Sequence, residues 1–326
     1  MAGDRSGVPG PRPRRFAVSL LTDYGLEDGF VGALHSVILT RAPEALVVDL
    51  AHGIKPGDVR GGSQALLRAV PYLAPGAVVA VVDPGVGTAR RAVAVATPKV
   101  TLGPAGTGPS GSRPTDAGPT GVRPNPARGG GIVFIGPDNG LLVPAVEAAG
   151  GPSLAVELED RGYWLPAPGP TFAGRDIFAP AAAQLARGWD IEDLGRLLEP
   201  ATLVRIPAPV REETGAGRLK VEVTWLDRYG NVQLAARPED FEGLRGEPLV
   251  VRVLGQAHPA DRAGDGPWPV KRASTFGELS CGELGLLVDS YGYLALVLDS
   301  ASAAEMMAVQ EGDIVELSAP PLGPSD

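Results

Sequence analysis

The chain has 326 residues, enough for two domains of ordinary size that each bury a core of their own. Its net charge of −9 argues against nucleic acid as the main partner, because binding to phosphate backbones requires a concentrated basic face. The single cysteine, Cys281, excludes an internal disulfide framework and a thiolate metal cluster, and a cytoplasmic location fits best. No apolar run approaches the roughly 18 residues that span a bilayer, so no membrane partner is expected.

Glycine and proline are unusually frequent, with 45 and 33 residues, and their distribution divides the chain. Residues 101–130 are rich in both and nearly free of large apolar side chains, so they cannot repay the entropy of ordering. The composition predicts a disordered insertion there and disordered tails over residues 1–15 and 319–326. Two predicted domains remain, over residues 16–200 and 205–318.

The first domain alternates short apolar runs with helical periods, which predicts an α/β fold with a mostly parallel sheet. Five runs are nearly all apolar, as expected of strands buried on both faces, namely residues 16–21, 45–50, 77–83, 92–97 and 131–135. Helices are expected over residues 28–41, 58–70 and 177–186. Asp58 and Asp176 are the predicted N-cap residues of the last two helices.

The second domain contains closely spaced strand patterns with hairpin-like turns and few helical periods. The predicted strands are residues 220–226, 232–235, 248–254, 284–288, 293–298 and 313–318. This pattern predicts a smaller, all-β, barrel-like C-terminal domain.

No standard catalytic signature occurs in the sequence, whether a phosphate-binding loop, a zinc-binding HExxH helix, a nucleophile elbow or a dinucleotide fingerprint. The three histidines are too scattered to suggest a metal site, so none is expected. Candidate site residues instead follow the predicted strands, where open α/β sheets bind ligands.

Asp23 follows the first strand, and a carboxylate there can accept hydrogen bonds from two hydroxyl groups, which suits a ribose diol. An Asx-turn or a cap of the next helix is the alternative. Asp28, five residues later, is compatible with an N-cap or with recognition of a cationic group.

Asp83 follows the third strand and is delivered by a valine-rich run into a glycine-rich turn. Arg90 is close enough in sequence to fold back toward it, and a buried pair would hold both groups charged and fixed. The alternative is a purely structural ion pair.

Two turns of the second domain also carry polar and aromatic side chains. Asp227, Tyr229 and Asn231 offer a carboxylate, an aromatic ring and an amide in one turn, which suits an ammonium group and a base. A hairpin turn in which glycine and asparagine adopt positive φ is the alternative. The same two interpretations apply to residues 289–294.

Six strings in order resemble the S-adenosylmethionine (SAM) hydrolase family, also called SAM hydroxide adenosyltransferases, which is related to nucleophilic fluorinases and chlorinases. They are LTDYGxxDGFVG, VVDPGVGTxRR, GPDNGLL, TFxGRDIFAP, DRYGNV and SYGYL. Together they extend over residues 16–318 apart from the insertion, and their combination is specific although each string alone is weak.

The resemblance implies hydrolysis of SAM to adenosine and L-methionine, by attack of water or hydroxide on the ribose C5′. It implies no cofactor and no metal, since a sulfonium is already an excellent leaving group. It also implies a homotrimer that binds SAM at subunit interfaces, between the N-terminal domain of one subunit and the C-terminal domain of its neighbour.

By the same resemblance, each candidate residue has an expected role. Asp83 and Arg90 would hold the water, and Asp23 would bind the ribose hydroxyls. The remaining expected contacts are those of Asp28 and Asp227 with the methionine ammonium, Ser290 with its carboxylate, Tyr229 and Phe276 with the adenine faces, and Asn231 with an adenine edge.

Three positions bear on which branch of the superfamily the chain resembles. Related halogenases carry an aromatic or similar group where this chain has Asp83, and they lack a counterpart of Arg90, so the chain resembles the hydrolases. The hydrolases, however, typically read TFHGRD, whereas Ala173 stands in the position of that histidine here. Loss of one member of a catalytic set costs on the order of 10²–10⁴ in rate if it acts as a general acid or base.

Three explanations of Ala173 stay open: another group substitutes for histidine, turnover is slow, or the chain is an altered version of an active parent. We expect Ala173→His to raise turnover and Asp83→Ala to lower it. The alternatives to hydrolysis are a SAM-dependent halogenase and a SAM- or adenosine-binding protein without turnover.

Overall fold

The computed structural model describes residues 15–98, 131–215, 217–241, 249–254 and 266–319. The predicted insertion at residues 101–130, and all but one residue of each predicted tail, lie outside the described residues. The chain divides into two compact units, Met1–Ile206 and Pro207–Asp326. None of the helices within the described ranges is long and apolar enough to cross a membrane.

The described part of the first unit contains seven strands in one sheet, with the spatial order β2-β1-β3-β5-β4-β6-β7. They are β1 (Ala17–Thr22), β2 (Leu46–Ala51), β3 (Gly76–Val81), β4 (Ala92–Ala96), β5 (Ile132–Pro137), β6 (Leu154–Glu157) and β7 (Arg196–Leu198). The β1, β2, β3 and β5 strands pair in parallel, whereas β4 and β7 run opposite to their neighbours. The predicted α/β class with a mostly parallel sheet is therefore confirmed.

The helices that flank this sheet in residues 15–98 and 131–206 are α1 (Phe30–Arg41), α2 (Val59–Ala69), α3 (Val143–Ala148) and α4 (Ala179–Arg187). Leu34 and Ile38 of α1 share one core cluster with the buried apolar side chains of α4, whereas Leu66 of α2 shares another with those of α3. Alternate residues of β3 contribute to the two clusters, as the period of a strand requires. The unit is thus a three-layer sandwich whose central strands are buried on both faces.

One predicted strand differs in burial from the others. The β2 strand is not buried on both faces: it lies at the edge of the sheet, and Leu46 and Val48 are among its exposed side chains. An apolar run predicts a strand, but it carries no information about whether the strand is central or at an edge.

Of the two predicted helix N-caps, one is confirmed and the other is wrong. The Asp58 carboxylate accepts a hydrogen bond from the Gly61 N–H at 2.8 Å, so Asp58 caps α2 as predicted. The prediction that Asp176 caps the next helix is wrong. Asp176 lies within a π-helical turn, Gly174–Phe178, that leads directly into α4, and its carboxylate is paired with the neighbouring Arg175.

Replacing the cap of α2 tests this local interpretation. Asp58→Ala is expected to reduce the free energy of unfolding by about 0.5–2 kcal/mol, because the first turn of the helix loses an acceptor for its N–H groups. Urea denaturation measures the change. Asp58→Asn keeps an acceptor oxygen and is the matched control, so an equal loss in both variants would contradict the capping role.

Between residues 207 and 319, the described stretches of the second unit form eight strands and one short α-helix. They are β8 (Arg211–Glu213), β9 (Arg218–Leu226), β10 (Val232–Leu234), β11 (Leu249–Leu254), β12 (Trp268–Arg272), β13 (Leu284–Val288), β14 (Leu294–Leu298), α5 (Ala303–Met307) and β15 (Ile314–Ser318). Pairing of β9 with both β10 and β15 closes a barrel of seven strands, and β8 adds to the outside of β9. The prediction of a barrel-like C-terminal domain is confirmed.

Candidate active site

A cavity of about 380 Å³ lies in the first unit where β1 and β3 end. Several predicted site residues line it together, namely Asp23, Asp28, Asp83 and Ala173. Its other lining residues are Tyr24, Phe30, Pro56, Gly57, Pro84, Val86 and Thr171. The parallel strands β1 and β3 deliver their following residues to the same edge of the sheet, which explains why aspartates 60 positions apart meet here.

Asp83 and Arg90 form the ion pair that their spacing predicts. The Arg90 Nε donates to the two carboxylate oxygens of Asp83 at 2.9 and 3.0 Å, and the Nη2 group adds a further contact. The exposed fraction is 6 % for the Asp83 side chain and 14 % for the Arg90 side chain, so solvent screens this pair only weakly. The guanidinium also lies over the Phe178 ring, at 5.4 Å from its centroid.

The turn between these two residues makes the pair possible. The Val86 N–H donates to the Asp83 carbonyl at 3.2 Å, and the Thr88 N–H donates to the Gly85 carbonyl at 3.1 Å. Gly87 has a φ of +79°, a conformation that favours glycine. These tight turns reverse the chain within seven residues and return the guanidinium to the carboxylate.

Asp23 is fixed from a second loop. Its Oδ2 accepts a hydrogen bond from the Gly57 N–H at 2.8 Å, so it does not cap α1. The turn that carries Asp23 is also anchored to the buried His52, whose Nδ1 shares a hydrogen bond of 2.8 Å with the Thr22 hydroxyl. The His52 carbonyl also accepts from the Gly25 N–H at 2.9 Å.

Asp28 is exposed and lines the cavity without capping a helix. Residue Gly29 is the N-cap of α1, and no side chain caps this helix. The capping interpretation of Asp28 is therefore wrong, and its carboxylate contributes negative charge to the cavity.

The GPDNGLL string supports the site from outside the cavity. The Asn139 side-chain amide donates to the carbonyl of Val82, immediately before Asp83, at 2.8 Å. Asp138 accepts a hydrogen bond from the Arg91 Nε at 2.8 Å. These contacts brace both ends of the segment that carries the Asp83–Arg90 pair.

Ala173 occupies the cavity wall with a small apolar side chain that is 7 % exposed and packs against the core of the first unit. It also lines a second cavity of about 670 Å³, which Arg90 and Trp164 border as well. Space is therefore present on both sides of the residue, and no polar group projects from this position.

Residues of the second unit form two closely similar turns. In the first, the Asp227 Oδ1 accepts from the N–H groups of Tyr229 and Asn231 at 2.8 and 3.0 Å. The Asn231 side-chain amide donates to the other carboxylate oxygen at 2.8 Å. This is the predicted hairpin turn between β9 and β10, and positive φ falls on Gly230 alone.

The second turn repeats this design. The Asp289 Oδ1 accepts from the N–H groups of Tyr291 and Tyr293 at 2.8 and 2.9 Å. The Gln233 side chain, from the strand that follows the first turn, donates to Asp289 at 2.5 Å. Ser290 lies within this turn, so its position depends on the same carboxylate.

The aromatic candidates of the second unit are accessible. Tyr229 is exposed at the tip of the first turn, with the Arg228 guanidinium at 5.8 Å from its ring centroid. Phe276 is exposed in the short 3₁₀ turn Phe276–Glu278. Both rings offer a face on which a planar group can stack.

Sequence reasoning missed Tyr24, which lines the cavity beside Asp23. Burial, followed by the charges of Asp23 and Asp83, raises the pKa of this phenol above its ordinary value, although Arg90 and a Gly174 backbone hydrogen bond act in the opposite direction. The hydroxyl group therefore stays neutral at physiological pH. Among the described residues, no group of three or more His, Cys, Asp or Glu side chains is arranged to hold a metal ion.

Comparison with known proteins identifies the family of both units. The model of the SAM hydroxide adenosyltransferase N-terminal domain matches residues 18–106 and 124–195. The model of the corresponding C-terminal domain matches residues 221–316.

Individual proteins give the same result. A protein of Salinispora tropica named (R)-S-adenosyl-L-methionine hydrolase is 42 % identical over 304 residues, which cover 93 % of this chain and 97 % of that protein. A fluorinase of Actinopolyspora mzabensis is more distant, at 27 % identity over 309 residues, 92 % of this chain and 96 % of the fluorinase. The crystal structure of an uncharacterized conserved protein from Thermotoga maritima superimposes with a TM-score of 0.72 at 30 % identity, covering 92 % of this chain and 99 % of that one.

Proposed function

Because the chain belongs to the SAM hydroxide adenosyltransferase family, we propose that it hydrolyses S-adenosylmethionine to adenosine and L-methionine. The oxygen of a water molecule forms a bond to the ribose C5′ while the C5′–sulfur bond breaks. The electron pair of the broken bond stays on sulfur, which becomes the neutral thioether of methionine. One proton of the water passes to Asp83 and then to solvent. This reaction needs no metal and no cofactor.

The observation that carries the proposal is the Asp83–Arg90 pair at the wall of a cavity that Asp23 and Asp28 also line. An in-line displacement requires the nucleophile to be held about 3 Å from C5′, opposite sulfur, so positioning supplies much of the rate. A carboxylate fixed by a guanidinium provides a rigid acceptor for the water. Three carboxylates around one cavity also complement a substrate that carries a sulfonium and an ammonium group.

Within the first unit, we assign Asp23 to the ribose hydroxyls and Asp28 to the methionine ammonium. The hydrogen bond from Gly57 holds one oxygen of Asp23, which orients the carboxylate and leaves lone pairs for a diol. Asp28 is exposed at the cavity and is the more adaptable of the two.

Within the second unit, we assign Asp227 to the ammonium, Ser290 to the methionine carboxylate and Asn231 to an adenine edge. Tyr229 and Phe276 are assigned to the adenine faces, which their exposed rings support. The hydrogen bonds inside the two turns do not exhaust a carboxylate, which offers about four acceptor positions.

Asp83 also favours water over a halide. A halide would approach a cavity lined by three carboxylates, of which Asp83 is paired with the Arg90 guanidinium. Like-charge repulsion opposes such an approach, whereas a neutral water molecule is attracted as a donor to Asp83. We therefore propose hydrolysis rather than halogenation.

We further propose that the chain acts in the cytoplasm as a homotrimer with its sites at subunit interfaces. Exposed apolar side chains on α1 and the edge strand β2 support a contact with another copy, namely Leu39, Leu46 and Val48. Light scattering coupled to size-exclusion chromatography measures the assembly, and a monomer at micromolar concentration would contradict this proposal.

The activity is tested by incubating the purified chain with SAM and separating the products by chromatography. We expect adenosine and methionine in equal amounts, and no 5′-halo-adenosine when chloride or fluoride is present. Calorimetry on the same sample measures SAM binding. Binding without any product over hours would indicate a binding protein, and 5′-halo-adenosine would indicate a halogenase; either result would overturn the proposal.

A further inference from the structure

None of the roles above assigns a function to the Tyr24 hydroxyl group. Tyr24 follows Asp23 directly and lines the same cavity as Asp83, Thr171 and Ala173. The wall at Ala173 is apolar, so a water molecule held by Asp83 receives no hydrogen bond from that side chain. A neighbouring hydroxyl group is thus well placed to complete its coordination.

Aromatic packing fixes the orientation of the Tyr24 ring. The ring stands edge-to-face against Phe30 and Phe172, at centroid distances of 5.9 and 5.5 Å, and those two rings contact each other at 5.2 Å. Such geometry is favourable for aromatic pairs and restricts both side-chain torsions. The hydroxyl group therefore has one defined position and does not sweep through the cavity.

That position is next to Ala173. A methyl group built on Gly174 would lie 2.5 Å from the Tyr24 hydroxyl oxygen, so this oxygen rests directly against the residue that follows Ala173. Asp23 and Asp83 line the same cavity as Tyr24, and their charges raise the pKa of the phenol whereas Arg90 lowers it. The raised pKa keeps the proton on the phenol, and a neutral hydroxyl can both donate and accept a hydrogen bond.

We propose that the Tyr24 hydroxyl is a further catalytic group of this site and binds the attacking water together with the Asp83–Arg90 pair. The water donates one hydrogen to the Asp83 carboxylate and the other to the Tyr24 oxygen, which leaves a lone pair for C5′. As the oxygen–carbon bond forms and the carbon–sulfur bond breaks, the first proton moves to Asp83 and the second stays on the new 5′-hydroxyl. This inference rests on the proposed hydrolysis.

Tyr24→Phe is the direct test, because it removes one oxygen and keeps the ring that packs on Phe30 and Phe172. We expect kcat for adenosine formation to fall about 10- to 100-fold with KM changed less than about threefold, since the variant loses only the hydrogen bond that positions the water. Tyr72→Phe removes a hydroxyl from an exposed tyrosine and is the matched control. An unchanged kcat in Tyr24→Phe would overturn the inference.

A double-variant cycle gives a second test. Ala173 borders two cavities, so an imidazole has room at this position. If the hydroxyl and an imidazole serve the same water, Ala173→His raises kcat little while Tyr24 is present and much more in the Tyr24→Phe background, and the two changes are not additive. Additive effects would overturn the inference.

The outcomes separate this inference from the proposed function. If the native chain binds SAM without forming adenosine, the proposed function fails, and adenosine formed by Ala173→His alone would show that the missing histidine is what prevents hydrolysis. If neither protein binds SAM or forms adenosine, the proposed function itself fails. If the native chain is active and Tyr24→Phe is equally active, only the inference fails.

Discussion

Asp83→Asn is expected to lower kcat for adenosine formation on the order of 10²–10⁴-fold, because the amide neither accepts a proton nor orients the water as a carboxylate does. The change also leaves the Arg90 guanidinium without its anionic partner in a site where both side chains are largely buried. Stability is therefore expected to fall as well, by up to about 3–5 kcal/mol. Steady-state kinetics and urea denaturation on the same preparation measure the two effects.

A double variant separates catalysis from stability. Asp83→Asn combined with Arg90→Met removes both charges, so no unpaired guanidinium remains and much of the lost stability is expected to return. The rate is expected to stay low, because the acceptor for the water is still missing. A stable double variant with native kcat would show that the pair is only structural, which is the alternative that the sequence leaves open.

The second large effect is expected from Gly230→Ala in the turn between β9 and β10. Gly230 has a φ of +81°, and an added methyl group would overlap the Ser302 side-chain oxygen and lie 2.8 Å from the Ser302 Cα. Backbone strain and overlap together are expected to cost about 2–5 kcal/mol in the free energy of unfolding. The turn carries Asp227, Tyr229 and Asn231, so KM for SAM is expected to rise in the molecules that remain folded.

Gly312→Ala is the matched control for this substitution. Gly312 has a φ of +92°, but an added methyl group there meets no atom within 4 Å, so only the backbone strain of about 1–2 kcal/mol applies. Urea denaturation of the two variants isolates the overlap with Ser302. Equal losses of unfolding free energy in the two variants would contradict the overlap with Ser302. An unchanged KM for Gly230→Ala would contradict the role assigned to this turn in binding SAM.

The sequence predicts the elements whose signals are local. Runs of valine and alanine identify β3 and β4, and a proline–glycine pair followed by Asp58 identifies the start of α2. The edge location of β2 could not be predicted, since its apolar run is the same as that of a central strand. The strands β8 and β12 were not predicted, because β8 contains only charged residues and β12 contains a proline and two basic residues, so neither shows an apolar pattern.

Some residues of the candidate site could likewise be predicted from local sequence signals, and others could not. Asp83 and Arg90 could be paired from sequence because a glycine-rich turn limits where the chain can go within seven residues. An acid often precedes a helix, which predicts a cap at Asp176, but Arg175 engages its carboxylate and the backbone makes a π-helical turn there. Tyr24 gave no sequence signal, since an aromatic residue after a strand is typical of a core, and only the packed structure shows that this residue lines the cavity.

Hydrolysis of SAM in water enriched in oxygen-18 shows whether water is the nucleophile and C5′ the atom that it attacks. Attack by water at C5′ predicts adenosine that carries one atom of the heavy isotope in its 5′-hydroxyl group, and methionine that carries none. Mass spectrometry of both products from a single incubation measures this distribution. Adenosine without the label, label in methionine, or absence of adenosine would contradict attack by water at C5′.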